Sequence, residues 1–135
     1  MMRWGLAAVI LGLAGGAQAA ALRCPGRMPG PHDGFTQVGP VPPRKLPLLG
    51  MRLFDGPPGE ESRAAPAQLA PDEVTPQPGT RPGSLTARWR FAGGEHLLLV
   101  CDYRDTGSYY RRAATTLPHA CSIVRGPDGI MAGCE

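Results

Sequence analysis

Sixteen prolines and 19 glycines stand in a chain of 135 residues, and most of the prolines crowd between Pro25 and Pro82, in stretches such as PGRMPGPHDG, GPVPPRKLP, DGPPGE and TPQPGTRPG. Each proline fixes φ near about −65° and removes a backbone donor, so a helix cannot run through such a stretch. Long helices are therefore not expected in residues 20–84, and the architecture has to come from strands and turns.

The first residues have a different character. Met1-Met2-Arg3 is a short positive start, Trp4 to Leu13 is apolar, and Gly15-Gly16-Ala17-Gln18-Ala19 ends in the small-x-small pattern that a signal peptidase cuts. A membrane span needs about 20 apolar residues, more than this stretch offers. Residues 1–19 are thus expected to be a signal peptide, with cleavage after Ala21 as the alternative. Leu22 and Arg23 separate the small residues from Cys24, so no lipid anchor is expected at that cysteine. The mature chain reads as periplasmic or secreted, with no stable membrane insertion. Loss of Arg3 lowers the net charge of +3 by one, a balance that does not suggest a polyanion-binding protein. Export further argues against nucleic acid as a partner.

Residues 20–135 suffice for one domain. Leu, Ile, Val and Phe make up under a fifth of them, close to the level of about 20% at which disorder becomes a concern, although the high net charge that accompanies disorder is absent. So lean a core calls for cross-links. The chain carries Cys24, Cys101, Cys121 and Cys134, an even count that in a small exported domain reads as disulfides with three possible connectivities. None of them forms CxxC. In CSIVRGPDGIMAGC, two apolar runs flank Gly126-Pro127-Asp128-Gly129, a hairpin signal. With Arg125 opposite Ile130, Cys121 falls opposite Cys134, and cross-strand Cβ atoms about 4.5–5.5 Å apart are close to disulfide geometry. A three-residue turn with a bulged glycine would instead place the two on opposite faces. The favoured pairing is Cys121–Cys134 with Cys24–Cys101, and the alternative is Cys101–Cys121 with Cys24–Cys134. Such links contribute about 3–5 kcal/mol each by loop-closure arguments.

The fold class expected is mainly β: a small antiparallel β-meander or sandwich-like domain with a Pro/Gly-rich N-terminal half, at most one short helix, and two disulfides. Residues 20–84 read as a covering region and residues 85–134 as the meander. A strand is expected at Leu49 to Phe54, where Leu49, Met51 and Leu53 alternate. In LTARWRFA, Leu85, Ala87, Trp89 and Phe91 share one face, with Thr86, Arg88 and Arg90 on the other. Gly93-Gly94 then reads as a tight turn pairing Trp89 with Leu98 and Ala87 with Val100. Leu97 to Cys101 is apolar on both faces, as in a central strand, and its reverse face is expected to be covered by the N-terminal region that Cys24 anchors.

No catalytic set stands out. Asp55, Glu60, Glu61, Asp72 and Glu73 could form a carboxylate site for a metal ion or for glycoside hydrolysis. The more economical reading ends a strand at Asp55-Gly56 and starts a short helix at Pro58, with Glu60 and Glu61 at its N-terminus. Ala64, Ala65 and Leu69 would then pack over the sheet until Pro71. His32, His96 and His119 lack helical ligand spacing, and DYRDTGS lacks the terminal glutamate of a calcium loop. No serine sits in a G-x-S-x-G context, and four paired cysteines leave no thiol nucleophile. Neither a metal nor a cofactor is expected.

Some of the residues resemble a known family. Cys24-Pro25, FDGPPGE at Phe54 to Glu60, LAPDE at Leu69 to Glu73, Trp89, VCDY at Val100 to Tyr103 and LPHAC at Leu117 to Cys121 are similar to the signature of small, exported, functionally uncharacterised proteins of Gram-negative bacteria. That resemblance implies an envelope location and disulfides, and it brings no catalytic residues. The expected function is that of a non-catalytic binding module for an envelope component (a glycan, lipid or protein) or for a hydrolase, in the manner of an inhibitor. Its expected binding surface is Arg88, Arg90, Tyr109, Tyr110, Arg111 and Arg112. The alternative is a periplasmic enzyme, redox or metal protein using Cys101 or the carboxylates of residues 55–73.

Overall fold

The computed structural model describes residues 22–76, 85–127 and 129–135. The expected signal peptide lies outside these residues, as does Asp128. Ten strands follow in chain order: β1 (Leu22–Arg23), β2 (Arg27–Met28), β3 (Thr36–Val38), β4 (Leu46–Asp55), β5 (Glu73–Pro76), β6 (Leu85–Arg90), β7 (Leu97–Tyr103), β8 (Tyr109–Ala113), β9 (Ala120–Gly126) and β10 (Gly129–Cys134). Among the described residues one 3₁₀ turn, Glu60–Ser62, interrupts them between β4 and β5. The strands form two antiparallel five-stranded sheets, β1-β10-β9-β6-β5 and β2-β4-β7-β8-β3. The fold is mainly β, as its proline content and strand patterns require, and its two sheets face each other as a sandwich.

The core between the sheets is built from alternating residues of both. Trp89, Cys121, Ile123, Ala132 and Cys134 come from the first sheet, and Met28, Leu46, Met51, Leu53, Leu97, Leu99, Cys101, Tyr103 and Tyr110 from the second. Tyr103 and Tyr110 are edge-to-face at 5.5 Å, and their hydroxyls donate to the carbonyls of Pro25 and Gly30, so neither polar end is buried unpaired. Trp89 likewise donates its indole N–H to the Leu69 carbonyl at 3.0 Å.

Both disulfides follow the favoured pairing. In the β9–β10 ladder Ile130 lies opposite Arg125 and Cys134 opposite Cys121, the two-residue register that permits the Cys121–Cys134 bond. Cys24–Cys101 joins the segment after β1 to β7 and thereby ties the first sheet to the second.

Three expectations about local packing are corrected. Trp89 does not face Leu98: β6 pairs with β9, opposite Cys121, and with β5, whereas β7 pairs with β4 and β8. Gly93 and Gly94 do turn the chain, at φ of 106° and 85°, but the turn is an arch between sheets instead of a hairpin. Its form is held by Glu95, which accepts from the Ala92 and Gly93 amides, and by Asp55, which accepts from the His96 amide. The face of β7 toward Trp89 is therefore Leu97, Leu99 and Cys101, while Leu98 and Val100 join Phe54 and Tyr109 in a second, smaller cluster on the outside of the second sheet.

The second correction concerns β4. The strand begins at Leu46, and a bulge between Leu48 and Gly50 leaves Leu49 without a partner in the β7 ladder. Leu46 and Leu48 point inward before the bulge, Met51 and Leu53 after it, and Leu49 is exposed. The third is that Ala64 and Ala65 are exposed, whereas Leu69 does pack against the core.

Candidate functional site

Of the five carboxylates in residues 52–73, four are engaged in structural contacts, and Glu73 stands exposed. Asp55 holds the His96 amide at 2.8 Å, Glu60 pairs with Arg63 at 2.9 Å, and Asp72 accepts from the Arg90 amide at 2.6 Å. Glu61 is the one buried acid of the segment. Gly59, at φ of 106°, turns the chain so that its own amide donates to Glu61 at 2.8 Å, while Arg111 reaches the same carboxylate at 2.6 Å and the Tyr109 hydroxyl at 3.1 Å. Burial pushes the Glu61 carboxyl up, but the hydrogen bonds from Arg111, from backbone amides and from Tyr109 outweigh it and leave the group below its ordinary value. The Tyr109 hydroxyl is shifted upward by burial and by that carboxylate.

A second pair lies beside this one. Arg52 donates through Nε and Nη2 to the two oxygens of Asp102 at 2.7 and 2.8 Å, and its guanidinium lies 5.5 Å from the Phe54 ring centre and 5.8 Å from that of Tyr109. The hydrogen bond to Asp102 raises the Arg52 pKa against the opposing effect of burial. Arg52, Val100 and Arg111 are aligned across β4, β7 and β8, so the two ion pairs roof the small cluster of Phe54, Leu98 and Val100. The segment is thus a cover for the outer face of the second sheet. Asp102 is committed to this roof, and Asp105, at φ of 60°, occupies the β7–β8 turn.

The other reactive groups are dispersed. His32 packs on Tyr110 at 5.3 Å, His96 lies at the arch, and the His119 amide donates to the Glu135 carbonyl at 2.6 Å. Among the described residues no three His, Cys, Asp or Glu side chains converge as metal ligands. Cys101 is fully buried in its bond to Cys24, and all four cysteines are paired.

The six residues expected to form a binding surface are divided between the two sheets. On β8, Tyr110 is buried in the core, Arg111 and Tyr109 are held by Glu61, and Arg112 lies 5.5 Å from the Phe35 ring centre with Nη1 3.4 Å from the Asp33 carbonyl. Arg88 and Arg90 are exposed on β6, on the outer face of the first sheet. Register aligns two rows there: Arg23, Gly133, Ser122, Arg88 and Glu73, and beside them Met131, Val124, Thr86 and Thr75. Arg90 reaches Glu73 only at 4.0 Å, and Met131 is 64% exposed. Gly133 lets β1 dock at all, since a Cβ there would strike the Leu22 carbonyl. Sequence reasoning missed Arg23 and Met131 on this face because their place depends on how β1 and β10 pair.

A family model described as Type VI secretion system Tli immunity protein matches residues 42–134. Comparisons with curated proteins and with solved structures give no match. The matched residues run from the approach to β4 through the last strand, more than half of the chain, and take in seven of the ten strands, leaving out β1, β2 and β3. This chain belongs to the Type VI secretion system Tli immunity protein family.

Proposed function

We propose that this chain is a periplasmic, non-catalytic immunity protein that binds a toxic effector, a hydrolase acting in the cell envelope, and blocks it by occupying its surface. The observation that carries the reading is the family match over residues 42–134. The site geometry supports it: Asp55, Glu60, Glu61 and Asp72 are spent on structural contacts, and the cysteines are closed into cross-links. Location in the periplasm is supported by the leader pattern of residues 1–19 and by two disulfides, which persist in oxidising compartments. The outer face of the first sheet, with Arg88 and Arg90 from the expected surface and Met131 beside them, is the contact face we assign to the effector. An exposed apolar side chain among guanidinium groups is the composition of an interface anchor.

The test is survival in co-culture. Susceptible cells lacking this gene are mixed with an attacker that fires a type VI apparatus, and the effector is identified as the attacker protein whose deletion abolishes killing. Full-length chain restores survival, and chain lacking residues 2–19 does not. If neither form protects against any attacker, the functional reading is wrong; if the leaderless form protects equally, the location is wrong.

A further inference from the structure

The bulge in β4 has a counterpart outside the first sheet's face. Leu49, 44% exposed, stands at the edge of a groove of about 460 Å³ that is also lined by Arg27 of β2, Arg104 just after β7, and Arg125 of β9. Sequence separates these residues widely, and the fold brings them together by three contacts. Arg27 pairs with Pro47 across β2 and β4, the Arg104 amide donates to the Pro47 carbonyl at 3.0 Å, and Arg125 Nη2 donates to the Leu49 carbonyl at 3.3 Å. Gly50 leaves room for that guanidinium, since a Cβ there would lie 3.3 Å from Arg125 Nη2.

Arg27, Arg104 and Arg125 are all exposed, and none takes part in an ion pair among the described residues. The described residues lining the groove include no acid. This differs from Arg52 and Arg111, each of which has its own carboxylate. Three neighbouring guanidinium groups repel one another and present planar donor forks that match carboxylates in a bidentate way. An apolar side chain in their midst favours a chain segment that also carries an apolar residue. The groove is continuous with the contact face assigned above, because the depression that contains Arg23, Arg88 and Met131 shares Gly26 and Ile130 with it.

We propose that this groove receives an acidic loop of the effector, with carboxylates on Arg27, Arg104 and Arg125 and an apolar residue against Leu49. The inference rests on the reading of the chain as an immunity protein and names where and by what chemistry it grips its partner.

The experiment uses the effector identified by the co-culture screen. Its affinity for the mature, oxidised chain is compared with that for the triple variant Arg27→Gln, Arg104→Gln, Arg125→Gln, over a range of salt. The triple variant is expected to bind at least about tenfold more weakly, with slower association and a flatter salt dependence. Independently, Arg104→Lys puts a single amine into the groove of a chain whose own sequence holds only Lys45. A zero-length carbodiimide should then join that new amine to Asp or Glu of the effector. Unchanged affinity in the triple variant, or cross-links confined to Lys45 and the N-terminus, overturns the groove while leaving the functional reading intact. Absence of binding by the unmodified chain overturns the functional reading itself. If the unmodified chain floats with phosphatidylglycerol vesicles and the triple variant does not, while effector affinity is the same for both, the groove reads lipid phosphate and the proposal fails.

Discussion

Glu61 shows how one residue decides between chemistry and architecture. Its side chain is 1% exposed, and its carboxylate accepts from Arg111, Tyr109 and the Gly59 amide, contacts within the fold that close it off from solvent. Glu61→Gln keeps the size but leaves a cation and a reorganised amide in a buried network. Because Arg111 is partly exposed, the expected loss is about 2–3 kcal/mol, at the low end of what breaking a buried pair costs, read as a lower urea midpoint. The sign of the pH effect follows from the lowered folded pKa. The pair's contribution is complete above the ordinary carboxylate value of 4.5 and is lost as pH falls through the folded value. The unmodified chain should therefore lose stability steadily below about pH 4.5, and Glu61→Gln should lose less over the same window. An unchanged pH profile in the variant would mean that Glu61 is not the ionised partner described. From sequence, Glu60 and Glu61 were equivalent dipole partners of a short helix. Only the turn at Gly59, which aims one of them inward, distinguishes them.

At the scale of elements, the legible features were those that depend on neighbours in sequence. The Gly-Pro-Asp-Gly turn narrowed the β9–β10 ladder to two registers, of which the favoured one, with Ile130 opposite Arg125, is present, and β7 showed its central position by being apolar on both faces. The arch at Gly93-Gly94 looked like a hairpin because glycine pairs serve either. What decides is that β7 has both edges taken by β4 and β8. In β4 the sequence held two alternations out of phase, Leu46 with Leu48 and Met51 with Leu53, and the phase break is the bulge itself. Deletion of Leu49 should therefore restore a regular strand with every inward residue still inward. The expected product folds, with a thermal midpoint within a few degrees of the parent, corresponding to about 1 kcal/mol or less. A chain that fails to fold would show that the bulge's twist, and not only its extra residue, is required by the sandwich. The groove arginines had no such local signal. Arg27, Arg104 and Arg125 come from three separate strands or turns, and only the two-sheet topology unites them.

Over the whole molecule, a core of few large aliphatic side chains is closed by two covalent links of unequal reach. Cys24–Cys101 spans 77 residues and joins the sheets, whereas Cys121–Cys134 spans 13 and staples one hairpin. Loop-closure entropy assigns them about 4.5 and 2.9 kcal/mol. Replacing the first pair with alanine should cost more stability than replacing the second, measured by urea unfolding under oxidising conditions. The reverse order would place the weak point of the sandwich in the β9–β10 hairpin. Such a scaffold, cross-linked within one sheet and between the two, is suited to presenting a fixed surface to a partner.

The most direct measurement is stoichiometric inhibition. Purified, oxidised chain lacking residues 1–19 is titrated into the effector identified in co-culture, and the effector's toxic activity is followed. Neutralisation by binding gives a linear loss of activity that is complete near equimolar chain. Complete loss at a small fraction of that amount would reveal turnover and make the chain an enzyme, and no loss at any ratio would contradict the account altogether.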